Sequence, residues 1–395
     1  MPLGIYISLP FCRTKCSYCN FASDVFSRAV FERYVDRVCA DVRNAPHAAA
    51  EMGGHMERAV DSIYLGGGTP TVLEAAQLAR VFDAVRSQFD VRPDAEVTVE
   101  CAPGTLTPAM LESLVRGGVT RVSLGVQSFV DQEAAAVGRL HKRATVLEDI
   151  ARLRSAGIAN INIDLIAGLP HQTAESWEFS LAAAIATRAP HVSVYMLEVD
   201  EDSRLGREVL AGGTRYHAHF VPDEEAVADF YGAACERLAS AGIMQYEISN
   251  FARAGFESQH NLKYWTRLPY FGFGVDAHSM LASATADIES VRFAAADSLE
   301  LYQQQAGFER TAVSPQAAWE ESFFLGLRLT RGVRLRELAA KFGEEAVGNA
   351  RSAIAQLVEG GLMEERGEFV CLTSRGRLLS NEVFERFLVA EEIAR

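Results

Sequence analysis

Cys12-Arg13-Thr14-Lys15-Cys16-Ser17-Tyr18-Cys19-Asn20-Phe21 carries three thiols within eight residues, spaced Cys-x3-Cys-x2-Cys, directly after the apolar run Ile5-Tyr6-Ile7-Ser8-Leu9. That spacing lets one compact loop turn all three thiols toward a common point. A structural zinc site takes four protein ligands, and an ordinary electron-transfer cluster takes four cysteines. Three thiolates on a four-iron cubane leave one iron open to another ligand. Disulfides in a secreted chain are the bland alternative. Against them, Met1-Pro2-Leu3-Gly4 has neither the basic nor the long apolar segment of a secretory signal. A zinc knuckle needs a fourth ligand close by, and Cys39 and His47 lie 20 or more residues away.

The 395 residues suffice for one large domain and a smaller one. No apolar run is long enough to span a bilayer, so no integral membrane segment is expected. With 38 basic against 52 acidic residues the net charge is −14, which disfavours non-specific binding to nucleic acid or anionic lipid. Cys39, Cys101, Cys235 and Cys371 are scattered and read as small buried hydrophobes. The expected setting is reducing and cytoplasmic.

Strands are expected at residues 5–9, 60–65, 95–100, 121–126, 160–166 and 191–197. Helices alternate with them at 28–43, 73–89, 108–116, 145–156 and 174–187, while 44–58 reads as a surface connection. This alternation predicts an α/β fold with a parallel sheet. Six such units are too few for a closed eightfold barrel. In such sheets chemistry sits at the C-terminal strand ends, and the candidate residues gather there. The cysteine loop follows the first strand and Gly66-Gly67-Gly68-Thr69-Pro70 the second; Glu100, Gln127 and Asp164 end the third, fourth and fifth. The glycine turn lacks the Gly-Lys-Ser/Thr of a phosphate loop, but three glycines let a ligand approach the backbone closely.

The cysteine loop and glycine turn together resemble the radical S-adenosylmethionine (SAM) family. That resemblance implies an open, partial (β/α)6 barrel and a [4Fe-4S] cluster on Cys12, Cys16 and Cys19. SAM would chelate the open iron, and an electron from an external donor would break its sulfonium bond to release a 5'-deoxyadenosyl radical. Gly67, Gly68 and Thr69 would meet the methionine end of SAM, with Tyr6 and Tyr18 matching aromatics beside it. Glu100-Cys101-Ala102-Pro103-Gly104-Thr105 and Gly125-Val126-Gln127-Ser128-Phe129 resemble motifs of the oxygen-independent coproporphyrinogen oxidases and their relatives. So do Gly138-Arg139-Leu140-His141 and Asn162-Ile163-Asp164-Leu165-Ile166-Ala167-Gly168-Leu169-Pro170. By that likeness Glu100 and Asp164 bond ribose or methionine polar groups, and Arg139 neutralises a carboxylate. Gln127 with Arg139 matches a second SAM pocket. Ala102 stands where relatives have Asn, which removes a side-chain hydrogen bond beside Glu100.

Two functions share this subfamily. The dehydrogenases carry a further cysteine two positions after the third, where this sequence has Phe21, and a long N-terminal extension, where this sequence begins with the first strand. Both departures resemble the heme-chaperone branch, as does Gln259-His260-Asn261-Leu262-Lys263-Tyr264-Trp265. A neutral imidazole can ligate heme iron, which makes His260 the candidate heme ligand, and Tyr264 and Trp265 offer flat area for a porphyrin face. His278 is a second candidate, in a loop where Val275-Asp276 replace the relatives' Pro-Gly. Tyr246-Glu247-Ile248-Ser249-Asn250-Phe251-Ala252 reads as strand and substrate-side wall. The remaining histidines form no metal-ligand pattern, and His217-Ala218-His219 reads as loop.

The texture changes near Trp319. Helices at 335–342 and 345–359, a hairpin at 362–373 and a last helix at 378–387 predict a smaller α+β, winged-helix-like module. Residues 331–395 hold ten Arg or Lys against eleven Asp or Glu, so a protein partner suits this module better than nucleic acid. The expected division is 1–230 barrel, 231–318 barrel extension and 319–395 C-terminal domain. The leading expectation is a chaperone that binds the cluster, SAM and heme and passes heme to an acceptor protein. The alternatives are oxidative decarboxylation of coproporphyrinogen III propionates to vinyls, and a nucleic-acid binder with a redox-sensing cluster, which the charge opposes.

Overall fold

In the computed structural model, which describes residues 1–304 and 307–388, the apolar first strand Leu3–Ser8 has a parallel partner on each side, Ala59–Gly66 and Tyr270–Phe273. From Ala59–Gly66 the sheet runs in chain order through Asp90–Cys101, Arg121–Gln127, Asn160–Ala167 and His191–Met196, all parallel. Helices Arg28–Arg43, Ala75–Gln88, Pro108–Arg116, Arg143–Ser155 and Ala174–Ala186 return the chain between them. Their buried residues recur every three or four positions, as in Tyr34, Val35, Val38 and Val42. That face packs with Ile5, Ile7, Ile63 and Leu65 in one continuous core. With helix Glu224–Ser240 after the last of these strands, they make the six β/α units of the expected partial barrel.

The barrel stays open because antiparallel strands occupy both edges of a 13-stranded sheet. Asn250–Ala252 pairs with His191–Met196 at one edge. At the other, Tyr270–Phe273 is followed by His278–Ser283, Ser290–Ala294 and Glu309–Val313. The inward face of the strands is polar, and its side chains bond across strands with the period of two expected of a pleat. Asn162 Nδ2 donates to Ser123 Oγ at 2.7 Å and to Ser193 Oγ at 3.0 Å, and Ser193 Oγ donates to Asn250 at 2.8 Å.

Residues 44–58 are not a plain surface connection. Ala45–Glu51 is a helix with Pro46 at its start, and Gly54–His55 pairs with Ala282 and Ser283. The alanine run is a strong helix former and proline is tolerated in the first turn. The region expected as one helix at 378–387 is two, Ser374–Leu378 and Ser380–Glu385, because Leu379 leaves helical geometry.

The smaller module contains helices Pro315–Leu327, Leu335–Phe342 and Glu344–Glu359 and an antiparallel sheet of Val333–Arg334, Phe369–Leu372 and Met363–Arg366. Phe323, Leu327, Ile354, Leu357, Met363 and Val370 belong to a core of its own. It docks on the barrel through charge. Arg267 Nε bonds Glu321 at 2.8 Å and Arg267 Nη2 meets Glu289 at 3.2 Å, while Arg292 reaches Glu321 at 3.0 Å. The Arg328 guanidinium lies 4.3 Å from the centre of the Trp265 ring. Removing the buried Arg267 takes one cation from each of Glu289 and Glu321, which keep Lys341 and Arg292 as partners. Arg267→Ala is expected to cost about 2 kcal/mol in urea unfolding; a change within about 0.5 kcal/mol would show that the junction carries no stability.

Candidate functional site

The cysteine loop leaves the C-terminal end of the first strand and is strapped on several sides. Cys12 N donates to Asp24 O at 3.0 Å and Thr69 N to Phe11 O at 2.8 Å. Lys15 Nζ donates to the carbonyls of Phe21 at 2.7 Å and Ser23 at 2.6 Å, closing the loop on itself. Thr14 Oγ1 donates to Gly138 O at 3.0 Å. Arg204 donates to the carbonyls of Lys15 and Cys16. Each thiol has a polar neighbour: Thr69 Oγ1 lies 3.9 Å from Cys12 Sγ, Arg139 Nη1 3.6 Å from Cys16 Sγ and Ser23 Oγ 3.8 Å from Cys19 Sγ. Among the described residues no three His, Cys, Asp or Glu side chains converge on a single metal ion. The three thiols instead share the wall of a cavity of about 440 Å³ at the top of the barrel.

The same cavity brings together Tyr6, Tyr18, Gly67, Gly68, Thr69, Glu100, Gln127, Arg139 and Asp164. Local structure explains how. Gly67 has φ of +87°, which favours glycine. At Gly68 a Cβ would come within 2.7 Å of Leu9 O and 2.8 Å of Phe11 N, so the chain's own backbone requires this glycine. Gln127 has φ of +68°, and the pairing of its strand slips between Gly125 and Gln127. Such bulges re-aim a side chain beside functional sites. The turn after Glu100 is held by Thr105 Oγ1, which donates to Ala102 O at 2.6 Å.

Two carboxyls stand opposite the thiols. Burial pushes the Glu100 carboxyl up to about 8; the Asp164 charge adds to the shift, while the Tyr64 hydroxyl, donating at 2.9 Å, opposes it. Burial also raises Asp164, against bonds from Ser123 at 3.0 Å and Asn162 at 2.6 Å. Sequence reasoning missed Tyr64, Ser123 and Tyr195 among the other lining residues. Tyr64 lies two positions before Gly66 of the glycine turn and Ser123 two before Gly125 of its motif, so strand periodicity was the available signal for those two. His141 also lines the cavity. Its Nε2 lies 3.1 Å from Val126 O, and burial together with Arg139 lowers its pKa to about 4.

The histidine motif lies beneath the cavity, with the His260 ring centre 5.4 Å from that of Tyr64 and 6.4 Å from that of Tyr6. Helix Gln259–Trp265 has Glu96 at its N-terminus, accepting from Gln259 N at 3.1 Å and His260 N at 3.2 Å. Lys263 Nζ donates to Pro2 O at 2.9 Å and pairs with Asp61 at 2.7 Å. His260 is 1% exposed, with Nδ1 3.0 Å from Ser62 Oγ and Nε2 2.8 Å from Tyr264 OH. Both ring nitrogens of His260 are engaged inside the barrel, and the Trp265 ring is covered by Arg328. Tyr246 is likewise no wall of the upper cavity; its hydroxyl lies 2.9 Å from His191 Nε2. His278 is exposed at the start of strand His278–Ser283, beside Asp276 at 3.6 Å. Asp276 adopts φ of +55°, a conformation Asp tolerates better than most residues.

Residues 6–183 match the radical SAM superfamily and residues 313–379 the HemN C-terminal domain. The chain is 36% identical to the heme chaperone HemW of Bacillus subtilis (strain 168) over 97% of its own length and 98% of that protein. It is 32% identical to the heme chaperone HemW of Lactococcus lactis over 98% of both chains. Among solved structures, coproporphyrinogen III oxidase (HemN) of Escherichia coli, a radical SAM enzyme, superposes with a TM-score of 0.81 at 23% identity, covering 98% of this chain and 90% of that one.

Glu100 gives the cavity a pH signature. A carboxyl raised to about 8 in the folded chain contributes stability that is complete below the ordinary glutamate value of about 4.3 and is lost as pH rises through 8. Between pH 5 and 9 the ligand-free protein should therefore lose more thermal stability than Glu100→Gln, which cannot ionise. Parallel melting curves for the two would show that Glu100 is already charged at pH 5.

Proposed function

The chain belongs to the HemW heme-chaperone family of the radical SAM superfamily, and we propose that it holds a [4Fe-4S] cluster and SAM and carries heme to an acceptor protein. The observation that carries this reading is the meeting of three thiols, two buried carboxyls and a glycine turn in one cavity, in a chain that aligns nearly end to end with heme chaperones.

The residues present fit the cofactors. Cys12, Cys16 and Cys19 would hold the cluster, and Arg139, 3.6 Å from Cys16 Sγ, offsets part of the thiolates' negative charge. When bound, the cluster supplies one electron at a time and a coordination position for SAM. Gly67, Gly68 and Thr69 would receive the methionine end of SAM through backbone groups. Glu100 and Asp164 would accept hydrogen bonds from its ribose or ammonium, with Tyr6, Tyr18 and Gln127 bordering it. SAM is a cation, so its arrival favours the charged form of Glu100 and displaces a proton from that carboxyl. Phe21 stands at the cavity edge, 67% exposed, and brings no thiol there. This supports heme carriage over oxidative decarboxylation.

Seven free cysteines suit the reducing cytoplasm, and among the described residues no helix is long and apolar enough to cross a membrane. An electron donor for the cluster and a heme-accepting protein are the partners. The C-terminal module, with its mixed surface charge, is a docking surface for one of them rather than for nucleic acid.

Anaerobic reconstitution with iron and sulfide tests the cluster. The wild-type chain should retain about four irons, and Cys12→Ala, Cys16→Ala and Cys19→Ala should each lose most of them, whereas Cys235→Ala should match wild type. Equal iron in all five proteins would refute the ligand assignment. Heme titration of the wild type should saturate near one heme per chain, and the absence of saturation would refute the chaperone reading.

A further inference from the structure

The inward side chains of the first three strands of the barrel stand in layers, and strand register fixes which residues share one. Gly4 pairs with Ser62 and Ser62 with Glu96; one layer higher, Tyr6 pairs with Tyr64 and Tyr64 with Thr98. Above these, Ser8 pairs with Gly66, and Glu100 lines the cavity. The lowest layer receives helix Gln259–Trp265. A Cβ on Gly4 would come within 2.8 Å of Lys263 Cδ, so glycine there lets the helix press against the sheet. Glu96 accepts from His260 N, and Ser62 Oγ lies 3.0 Å from His260 Nδ1.

The His260 ring reaches the middle layer. It is tilted by 31° against the Tyr6 ring and 32° against Tyr64, and those two rings lie 6.1 Å apart at 30°. The three rings form one offset stack. Hydroxyls of Ser62 and Tyr264 hold the two imidazole nitrogens, and a hydroxyl can donate or accept, so a neutral ring is satisfied in either tautomer. Burial, with Lys263 nearby, lowers the His260 pKa to about 3, so no charge sits beneath the tyrosines at neutral pH. Tyr264 packs edge-on against Tyr270, ring centres 4.6 Å apart, in the strand that pairs with the first.

The two tyrosines carry this support upward. Tyr64 OH donates to Glu100 Oε1 at 2.9 Å. A Cβ on Gly66 would come within 2.7 Å of that oxygen and 2.8 Å of the Tyr64 ring, so glycine clears the path for the bond. A Cβ on Gly67 would come within 3.3 Å of Tyr6 OH. The hydroxyls thus end at the two groups assigned to SAM, the Glu100 carboxyl and the glycine turn. With one oxygen of Glu100 taken by Tyr64, the direction in which the other can accept a bond is set.

We propose that His260 is a positioning residue for SAM: Tyr6 and Tyr64 rest on its ring, and through the Tyr64 hydroxyl it fixes the Glu100 carboxylate that receives the ligand. The proposal rests on the SAM reading of the cavity and deepens it, and it gives the histidine motif a task other than heme ligation. Tyr64, Asp164, Arg121 and the Gly67 N–H set the proton affinity of Glu100, so the pH profile of SAM binding reports on Tyr64.

Full-length protein with a reconstituted cluster, titrated anaerobically with SAM across the Glu100 value of about 8 and separately with heme, tests it. Tyr64→Phe should bind SAM about tenfold more weakly. Its pH profile should move upward, because the lost bond opposed the rise of the Glu100 carboxyl. His260→Ala should show both changes, and His260→Phe, which keeps a flat ring beneath the tyrosines, should restore both. Iron content and the Soret band of bound heme should match wild type throughout. Weaker binding in His260→Ala with an unmoved pH profile would make the role merely structural, and a Soret band lost in His260→Phe would make the ring a heme ligand; either overturns the proposal. Should His260→Ala not fold, Tyr264→Phe, which removes one hydroxyl from the ring's support, should shift the profile in the same direction, and no shift overturns the proposal. If wild type binds no SAM, the cavity reading fails and this role with it. If wild type binds and His260→Ala matches it in affinity and profile, the cavity reading stands and only the positioning role is overturned.

Discussion

The first strand is hydrogen-bonded along both edges to parallel neighbours, one from the next β/α unit and one from residues 270–273. A strand held in this way cannot slide without breaking two ladders, and its register is fixed further by an apolar face in the core. The cysteine loop inherits that rigidity at its point of departure. The glycine turn that follows the neighbouring strand packs against Leu9 and Phe11, so loop and turn are positioned by each other. Three thiols can then be presented at one cavity wall by a loop with no regular structure of its own.

The barrel interior is polar throughout and is managed differently at its two ends. At the bottom, polar groups are consumed by one another: Glu96 serves a helix N-terminus, Lys263 pairs with Asp61, and His260 spends both nitrogens on Ser62 and Tyr264. At the top, Glu100 and Asp164 face the cavity with raised proton affinity. Buried carboxyls without full compensation are costly, and a cationic ligand relieves that cost. The pairs at the lower end stabilise the fold, and the two carboxyls at the upper end face the ligand.

Much of this was legible in the sequence. The alternation of strands and helices gave the six parallel units, and strand-end placement gathered Cys12, Cys16, Cys19, Gly67, Glu100, Gln127 and Asp164 before any coordinates. Sequence reasoning did not reach which edge of the sheet the second half would join, because the pairing of residues 270–273 with the first strand spans the whole barrel. His260 illustrates a different limit. Its neighbours in sequence resemble a heme motif, but its environment is set by Ser62 and Glu96, nearly 200 and more than 160 residues away.

The central claim is that three cysteines leave one iron of the cluster open toward the cavity where SAM sits. Mössbauer spectra of the reconstituted protein, recorded with and without SAM, address it most directly. The account expects about a quarter of the iron signal, one iron in four of a [4Fe-4S] cluster, to move to parameters of higher coordination when SAM is added. Glu100→Ala should require more SAM for the same change. A spectrum unaltered by saturating SAM would contradict it, because the fourth iron would then be closed or the cavity would belong to another ligand.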